Sequence, residues 1–358
     1  MLWSGIVALG LRPCQASNLF QSRTRVLADV SNPTNRVLDV LNFLGAHPTE
    51  SFTLAEIAKH LGLSNGSAHR ILTTMAESRF LSRNEKHKTY SLGIALVALG
   101  RAALEKHRGI EIARKEIARL ALELNAQCSV TAITDGELLL VAKEGAPQSH
   151  DGLHQVGERT PLILPIAIGH IAWSSEQVIE SYLSEASPYL SKALRKHTFA
   201  AIAAIRRRGY AMAAHGPATR ALRRSMNSPK AYIRNNAYWT ALRGAIGVMS
   251  EDELQVLHIP SKPTTGLRYI AAPVFSPDGS VSLELVATGL PSNLGAKEIE
   301  RYAERLCAAA AVVTGEVHGR YPSSYTQADQ IRGAEMPSAT SQPRLRPTPK
   351  SRSASAPK

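Results

Sequence analysis

Thr53-Leu54-Ala55-Glu56-Ile57-Ala58-Lys59-His60-Leu61-Gly62-Leu63-Ser64-Asn65-Gly66-Ser67-Ala68-His69-Arg70-Ile71-Leu72-Thr73-Thr74-Met75 is the stretch from which the fold can be read outward. Thr53 and Glu56 have the Thr-x-x-Glu spacing of a capping box, in which hydroxyl and carboxylate satisfy two orphan amides at a helix start. Ile57, Ala58 and Leu61 supply that helix with an apolar face, and Gly62 supplies the left-handed residue that ends it. Only Leu63 separates Gly62 from Ser64, a good N-cap, after which Ala68, Ile71, Leu72 and Met75 recur on one helical face. Two short helices joined through a glycine-containing turn make a helix-turn-helix.

The outward face of the second helix points to its use. It presents Gly66, His69, Arg70 and Thr73 with no acidic residue before Glu77, and Asn65, Ser67 and Thr74 add hydrogen-bonding groups. A helix that merely faced water would mix Glu with Lys, whereas the helix-turn-helix carries this end into the major groove, where the positive helix terminus also favours phosphate. The reading therefore assigns DNA contact to Thr53, Ser64, Asn65, Gly66, Ser67, His69, Arg70, Thr73 and Thr74. Upstream, Val37, Val40, Leu41 and Leu44 form the stripe of a helix between Pro33 and Gly45. Downstream the period shortens: Leu81-Ser82-Arg83 and Lys88-Thr89-Tyr90-Ser91-Leu92 read as two strands around a polar turn, a wing. Its Arg83, Lys86, His87 and Lys88 are placed to hold a phosphate or enter a minor groove, although each alone also reads as a hairpin solubiliser.

Composition agrees with a polyanionic partner. The chain has 358 residues, 42 Lys+Arg against 29 Asp+Glu, a net charge of +13, and 44% hydrophobic residues. That excludes a wholly disordered chain and predicts about two domains. Cys14, Cys128 and Cys307 lie far apart without a C-x-x-C pair, which speaks against a disulfide scaffold or a cysteine zinc site and for a reducing compartment, the cytoplasm. The apolar run from Leu2 to Leu11 is too short for a bilayer and lacks a positive flank. No membrane anchor is expected, and residues 1–31 read as a flexible extension, with a weak secretory signal as the other reading. Residues 319–358, rich in Ser, Pro and Thr, read as a disordered basic tail.

Beyond the wing, Leu92, Leu96, Leu99 and Ala103 form another stripe, and Ala113, Ile117, Leu120, Ala121 and Leu124 mark a helix from Ile110. Asp135-Gly136 between two apolar runs is a hairpin signal, and Asp278-Gly279 repeats the device between Tyr269–Phe275 and Val281–Thr288. A last helix carries Ile299, Tyr302, Leu306, Ala310 and Val313 inward. Helices outside an antiparallel sheet make the second half α+β.

The order Arg36-Val-Leu-Asp-Val-Leu, Leu54-Ala-Glu-Ile-Ala, Leu61-Gly-Leu-Ser, Ala68-His-Arg-Ile-Leu, Tyr90-Ser-Leu-Gly93 and Leu99-Gly100 resembles the DNA-binding half of IclR-type bacterial transcription regulators. Val156-Gly157-Glu-Arg-Thr-Pro161, Ala167-Ile168-Gly169, Arg207-Arg208-Gly209-Tyr210 and Ile270-Ala-Ala-Pro-Val274 extend the resemblance over residues 33–318. It implies a winged helix-turn-helix at 32–93, a linker helix at 94–109 that pairs protomers, and at 110–318 a GAF-like or PAS-like effector-binding domain, an antiparallel sheet flanked by helices. On the same resemblance Leu162, Ala167, Ile168, Gly169, Tyr269, Ala271, Val286 and Thr288 line the effector pocket, and the amides near Ile168 and Gly169 hold a carboxylate. Where the family commonly has a lysine and small polar residues, this chain has His170, then Val286 and Ala287. That departure predicts a more apolar pocket and an effector with an aromatic or aliphatic body. Residues 216–262 exceed the family's usual connection. They read as a solvated basic helix, with a lid as the alternative.

The partners so implied are operator double-stranded DNA, a small-molecule effector and a second copy of the chain, whether as a dimer or a dimer of dimers. No cofactor or metal is expected. Gly62-Leu-Ser-Asn-Gly66 fits the nucleophile-elbow pattern, but a helix precedes it where that chemistry needs a strand. His150 and His154 have i, i+4 spacing beside Pro147 and Gly152, which favours a loop over a metal-binding helix. The chain reads as a regulator and not an enzyme. The rival reading is a ligand-sensing adaptor whose winged helix contacts protein.

Overall fold

The computed structural model describes residues 33–45, 47–145, 155–226, 236–260 and 266–325. The N-terminal extension, His150, His154 and the tail beyond 325 lie outside the described residues.

The first part of the chain packs three helices, α1 (Pro33–Gly45), α2 (Leu54–Leu61) and α3 (Asn65–Glu77), on a small sheet. The sheet joins β1 (Phe52–Thr53), β2 (Leu81–Asn84) and β3 (Thr89–Leu92) in the order β1-β3-β2. β1 is too short for a period-two signal, and only its pairing with Tyr90 and Thr89 makes it a strand. Val40, Phe43, Leu44, Ile57, Leu72, Met75, Leu81 and Tyr90 form the core. Gly93 closes this unit: a side chain there would strike the backbone of Arg79 and Phe80, and its amide donates to the Phe80 carbonyl at 2.8 Å.

Two helices follow, α4 (Ala95–Lys106) and α5 (Arg108–Leu124). The helix break falls at His107, with φ −105° and ψ 53°, not between 109 and 110. No residue of α4 is buried, so the stripe of Leu92, Leu96, Leu99 and Ala103 does not make an intramolecular core. α5 by contrast buries Ala113, Ile117, Leu120, Ala121 and Leu124.

The second sheet is six-stranded and antiparallel. β4 (Gln127–Thr134), β5 (Glu137–Glu144), β6 (Arg159–Pro161), β7 (Ala211–Ala214), β8 (Leu267–Phe275) and β9 (Val281–Thr288) run in the order β6-β5-β4-β9-β8-β7. Asp135 and Gly136 both take positive φ, 51° and 72°, the two-residue turn that matches strand twist. The Asp278-Gly279 connection differs, because a five-residue loop from Ser276 to Ser280 is held by the Asp278 carboxylate accepting from the Ser280 amide at 3.0 Å.

The helices after β6 are α6 (Ile168–Ile171), α7 (Glu176–Ser184), α8 (Lys192–Arg208), α9 (Pro217–Met226), α10 (Asn236–Gly247), α11 (Glu251–Leu254) and α12 (Ala296–Glu316). α5 and α12 cover one face of the sheet, burying Cys128, Val130, Ile270, Ala272, Leu285 and Ala287 against Ile117, Leu306 and Val313. Because side chains alternate along a strand, Gln127, Ser129 and Thr131 must project from the opposite face. So must Glu284, Val286 and Thr288. The basic stretch within 216–262 is not a plain solvated helix. It folds as α9, α10 and α11 and buries Leu222, Leu242, Ile246 and Leu254.

Candidate nucleic-acid interface and ligand cavity

The recognition surface is built from its caps outward. Thr53 accepts from the Glu56 amide at 3.3 Å while the Glu56 carboxylate takes the Thr53 amide at 2.8 Å, and the Thr53 amide and hydroxyl donating to that carboxylate hold it below its ordinary range. The Thr53 hydroxyl also donates to Glu56, so its local role is the cap. Gly62 ends α2 at φ 63°, and Ser64 begins α3 by accepting from the Ser67 amide at 3.3 Å. The Ser64 and Ser67 hydroxyls bond each other at 3.1 Å, and Arg36 donates to Ser67 at 3.4 Å. Ser64 is a capping serine with no strand before it.

With Ala68, Leu72 and Met75 buried, α3 turns Ser64, Asn65, Gly66, His69, Arg70 and Thr74 fully outward, and leaves Ser67 and Thr73 half-buried. On the wing, the Asn84 side chain accepts from the Lys86 and His87 amides at 3.0 and 3.1 Å, shaping a turn in which Lys88 takes φ 52°. Arg83, Lys86, His87 and Lys88 are all exposed there. Arg83 lies 3.6 Å from Glu85 and 5.9 Å from the Tyr90 ring centre, so part of its charge is locally engaged. Of the predicted residues, Ser64, Asn65, Gly66, His69, Arg70 and Thr74 on α3 and Arg83, Lys86, His87 and Lys88 on the wing are exposed, whereas Thr53 and Ser67 are tied into caps.

The second site is a cavity on the polar face of the six-stranded sheet, about 930 Å³ including the space at its open mouth. Ala167, Ile168, Gly169, Tyr269, Ala271, Val286 and Thr288 line it. Leu162 does not. β6 ends at Pro161, so the alternation that aims Thr160 into the cavity is lost one residue later, and Leu162 is buried instead. α6 is a single turn whose bonds run from the Ile171 and Ala172 amides back to the Ala167 and Ile168 carbonyls.

The lining is more polar than the sequence suggests. Gln127, Ser129, Thr131, Thr160, Glu158 and Glu284 contribute to it, as do Arg268 and, from α9, Arg223 and Met226. For the residues of β4 and β9 the signal was polar side chains on one face of otherwise apolar strands, Gln127-x-Ser-x-Thr131 at period two, and Glu284 with Thr288 four apart. α9 stands where it does because the buried Glu253 carboxylate takes the Thr219 amide at 3.0 Å and, through its other oxygen, the Ser250 amide at 3.1 Å. Arg268 donates to the Glu253 carbonyl at 3.1 Å and lies 4.9 Å from the Tyr269 ring centre. The Tyr269 hydroxyl accepts from Gln255, and burial pushes it up to about 12.

Behind the cavity wall, His170 Nε2 meets the Thr131 hydroxyl at 3.2 Å and lies 3.6 Å from Glu284 Oε2, the His170 and Glu284 side chains being almost wholly buried. Gly169 lies against this carboxyl so closely that any Cβ would overlap Oε1. Burial pushes Glu284 up to about 8 and holds His170 down to about 3. Burial thus favours the neutral form of each, because taking both charges out of water opposes what their 3.6 Å separation returns. Cys128 and Cys307 are buried in the same domain, and burial pushes both thiols up to about 12, which makes them poor nucleophiles. Among the described residues no three His, Cys, Asp or Glu stand together as a metal site, and no helix is long and apolar enough to cross a membrane.

Residues 34–85 match the family model for the IclR helix-turn-helix domain. The HTH-type transcriptional regulator XynR of Escherichia coli (strain K12) is 25% identical over 277 residues, which is 76% of this chain and 91% of that protein. Among solved structures, an IclR transcriptional regulator from Alicyclobacillus acidocaldarius is 19% identical with a TM-score of 0.58, covering 80% of this chain and 98% of that one. An IclR homolog from Microbacterium hydrocarbonoxydans, solved with 4-hydroxybenzoate, is 17% identical with a TM-score of 0.57, covering 80% of this chain and 99% of that one.

Proposed function

From the premise that this chain belongs to the IclR-type transcriptional regulators, we infer that it binds operator double-stranded DNA through α3 and the wing, and that a small organic acid in the sheet cavity modulates that binding. The observation that carries the reading is the exposed strip of α3 that holds Asn65, His69, Arg70 and Thr74 with no acidic residue before Glu77, and with it the exposed Lys86, His87 and Lys88 of the wing. Such a strip pairs base-edge donors with backbone-neutralising cations, the two kinds of contact that specific DNA binding requires. Arg70 is placed to contact a base edge, and Lys88 to contact phosphate.

Residues up to 93 then form the DNA-binding unit, the linker runs from 94 to the break at His107, and the effector-binding domain follows from α5. Ile94, Val97 and Leu99 are 75%, 66% and 52% exposed, and a second copy of α4 is the partner we assign to them. Paired linkers would set the spacing of two heads, so that occupancy of the cavity and occupancy of DNA influence each other reciprocally. The chain carries no catalytic role in this reading, and it works in the compartment that holds promoter DNA, the cytoplasm.

The test is a gel-shift against the chain's own upstream region over a salt series, with Arg70→Ala alongside. Binding should weaken steeply with salt. Arg70→Ala should lower cognate affinity by about 1 to 3 kcal/mol while leaving nonspecific binding in place. Indifference to every promoter fragment at low ionic strength would falsify the reading.

A further inference from the structure

The last helix does not end the fold. Past α12 the chain runs on to Tyr325 with no helix or strand of its own, yet it is held at every step. His318 turns it at φ 55°, and the Gly319 amide returns to the Thr314 carbonyl at 2.7 Å. Gly319 then passes so close to the Phe275 carbonyl that any side chain there would strike it. The Arg320 amide donates to the Ser276 carbonyl at 3.0 Å, which ties the segment to the end of β8. Beyond that tie the Tyr321 and Tyr325 rings lie 4.8 Å apart, and both meet Phe275, at 5.4 and 5.6 Å. Tyr325, only 7% exposed, also lies 5.2 Å from the ring of Trp173. Ring contacts at these separations are attractive beyond the area they bury.

The two ends of this segment touch parts of the molecule with different tasks. Trp173 follows α6, whose first residues, Ile168 and Gly169, line the cavity. Ile168 to Trp173 is about 7.5 Å of near-helical backbone, one short block in which a shift at either end is felt at the other. At the opposite end of the segment, a Cβ added at Gly109 would stand 2.9 Å from Val317 Cγ1. Gly109 is two residues past His107, where α4 gives way to α5. We propose that Val317–Tyr325 is a strap coupling the cavity wall to the linker, so that movement of α6 passes through Trp173, Tyr325 and Val317 to the break at His107. The inference rests on the cavity and α4 having the roles assigned above. Packed blocks shift between discrete arrangements while a few element-terminal residues absorb the backbone change, and His107, exposed between two helices, is placed to do so. The other hold on the Trp173 turn, Arg206 donating to the Ala172 and Ser174 carbonyls at 2.6 and 3.1 Å, leads to α8 and not to the linker. A rival route does reach the linker, from Gly109 to Leu283 and through the neighbouring Glu284 to Gly169, but it bypasses Tyr325.

Contact is not coupling, and a double-variant cycle measures the difference. The experiment is hydrogen exchange of the full chain, read by mass spectrometry over residues 166–174, in the wild type, Gly109→Ala, Tyr325→Ala and the double variant. Gly109→Ala presses a methyl group on Val317 and should change exchange at α6 by about fivefold or more. In the Tyr325→Ala background the same substitution should leave α6 unchanged within about twofold. Circular dichroism checks the fold, and Tyr325→Leu, which keeps apolar volume but loses the ring contacts, takes the place of Tyr325→Ala should that variant not fold. An α6 that ignores Gly109→Ala, or one that responds equally with and without Tyr325, overturns the strap. A gel-shift of the wild type against its upstream region separates the two readings. DNA binding without coupling removes the strap alone, whereas coupling in a chain that binds no promoter fragment leaves the strap and removes the regulator reading.

Discussion

Replacing Glu284 by Gln keeps size, one acceptor and one donor, but removes the ionisable proton, so its effect on folding depends on pH in a calculable way. In the folded chain burial pushes this carboxyl from 4.5 up to about 8. A raised carboxyl means the unfolded chain releases its proton first, so the stability present below pH 4.5 is lost progressively as pH rises toward 8. At pH 7 the loss spans the interval from 4.5 to 7, worth about 3 kcal/mol, against under about 1 kcal/mol at pH 5. Glu284→Gln should therefore be more stable than the wild type by about 3 kcal/mol at pH 7, with the gain shrinking toward zero at pH 4.5. His170, lowered by burial to about 3, destabilises the fold as pH falls from 6.5, but it does so in both proteins and cancels in the comparison. The alternative, a charged His170–Glu284 pair, predicts the opposite sign, because removing one partner of a buried ion pair costs about 3 to 5 kcal/mol. Urea unfolding at pH 5, 6, 7 and 8, followed by tryptophan fluorescence with buried Trp173 as a reporter, reads both sign and slope. A variant less stable than the wild type at pH 7, or a difference that does not change with pH, refutes the neutral-pair argument.

Two further expectations concern the regulatory reading. Lys88→Ala should weaken binding to all sequences alike and reduce the salt slope by about one ion, measured by fluorescence anisotropy over a salt series; a changed base preference would contradict the phosphate role. Ile94→Asp with Val97→Asp should dissociate the assembly, since each residue offers about 1.5 to 3 kcal/mol of burial to a partner helix. Sedimentation at micromolar concentration showing an unchanged dimer would remove α4 from the interface.

The helix-turn-helix was legible because its signals are local. A capping box, a left-handed glycine and an N-cap act within four residues, so Thr53, Glu56, Gly62 and Ser64 declare two helices before any packing exists. The exposed face of α3 followed from its buried one by helical period alone. Sequence could also place Tyr269, Ala271, Val286 and Thr288 near one another through the hairpin that joins their strands. It could not place Glu284 beside Gly169 and His170, which meet only when α6 docks on the sheet. Nor could it bring Arg223 to the cavity, because that depends on Glu253 fastening α9 at Thr219, 34 residues upstream of the carboxylate. The charge state of Glu284 is likewise a property of the folded chain, for a carboxyl's affinity for its proton is set by how completely water is removed from around it.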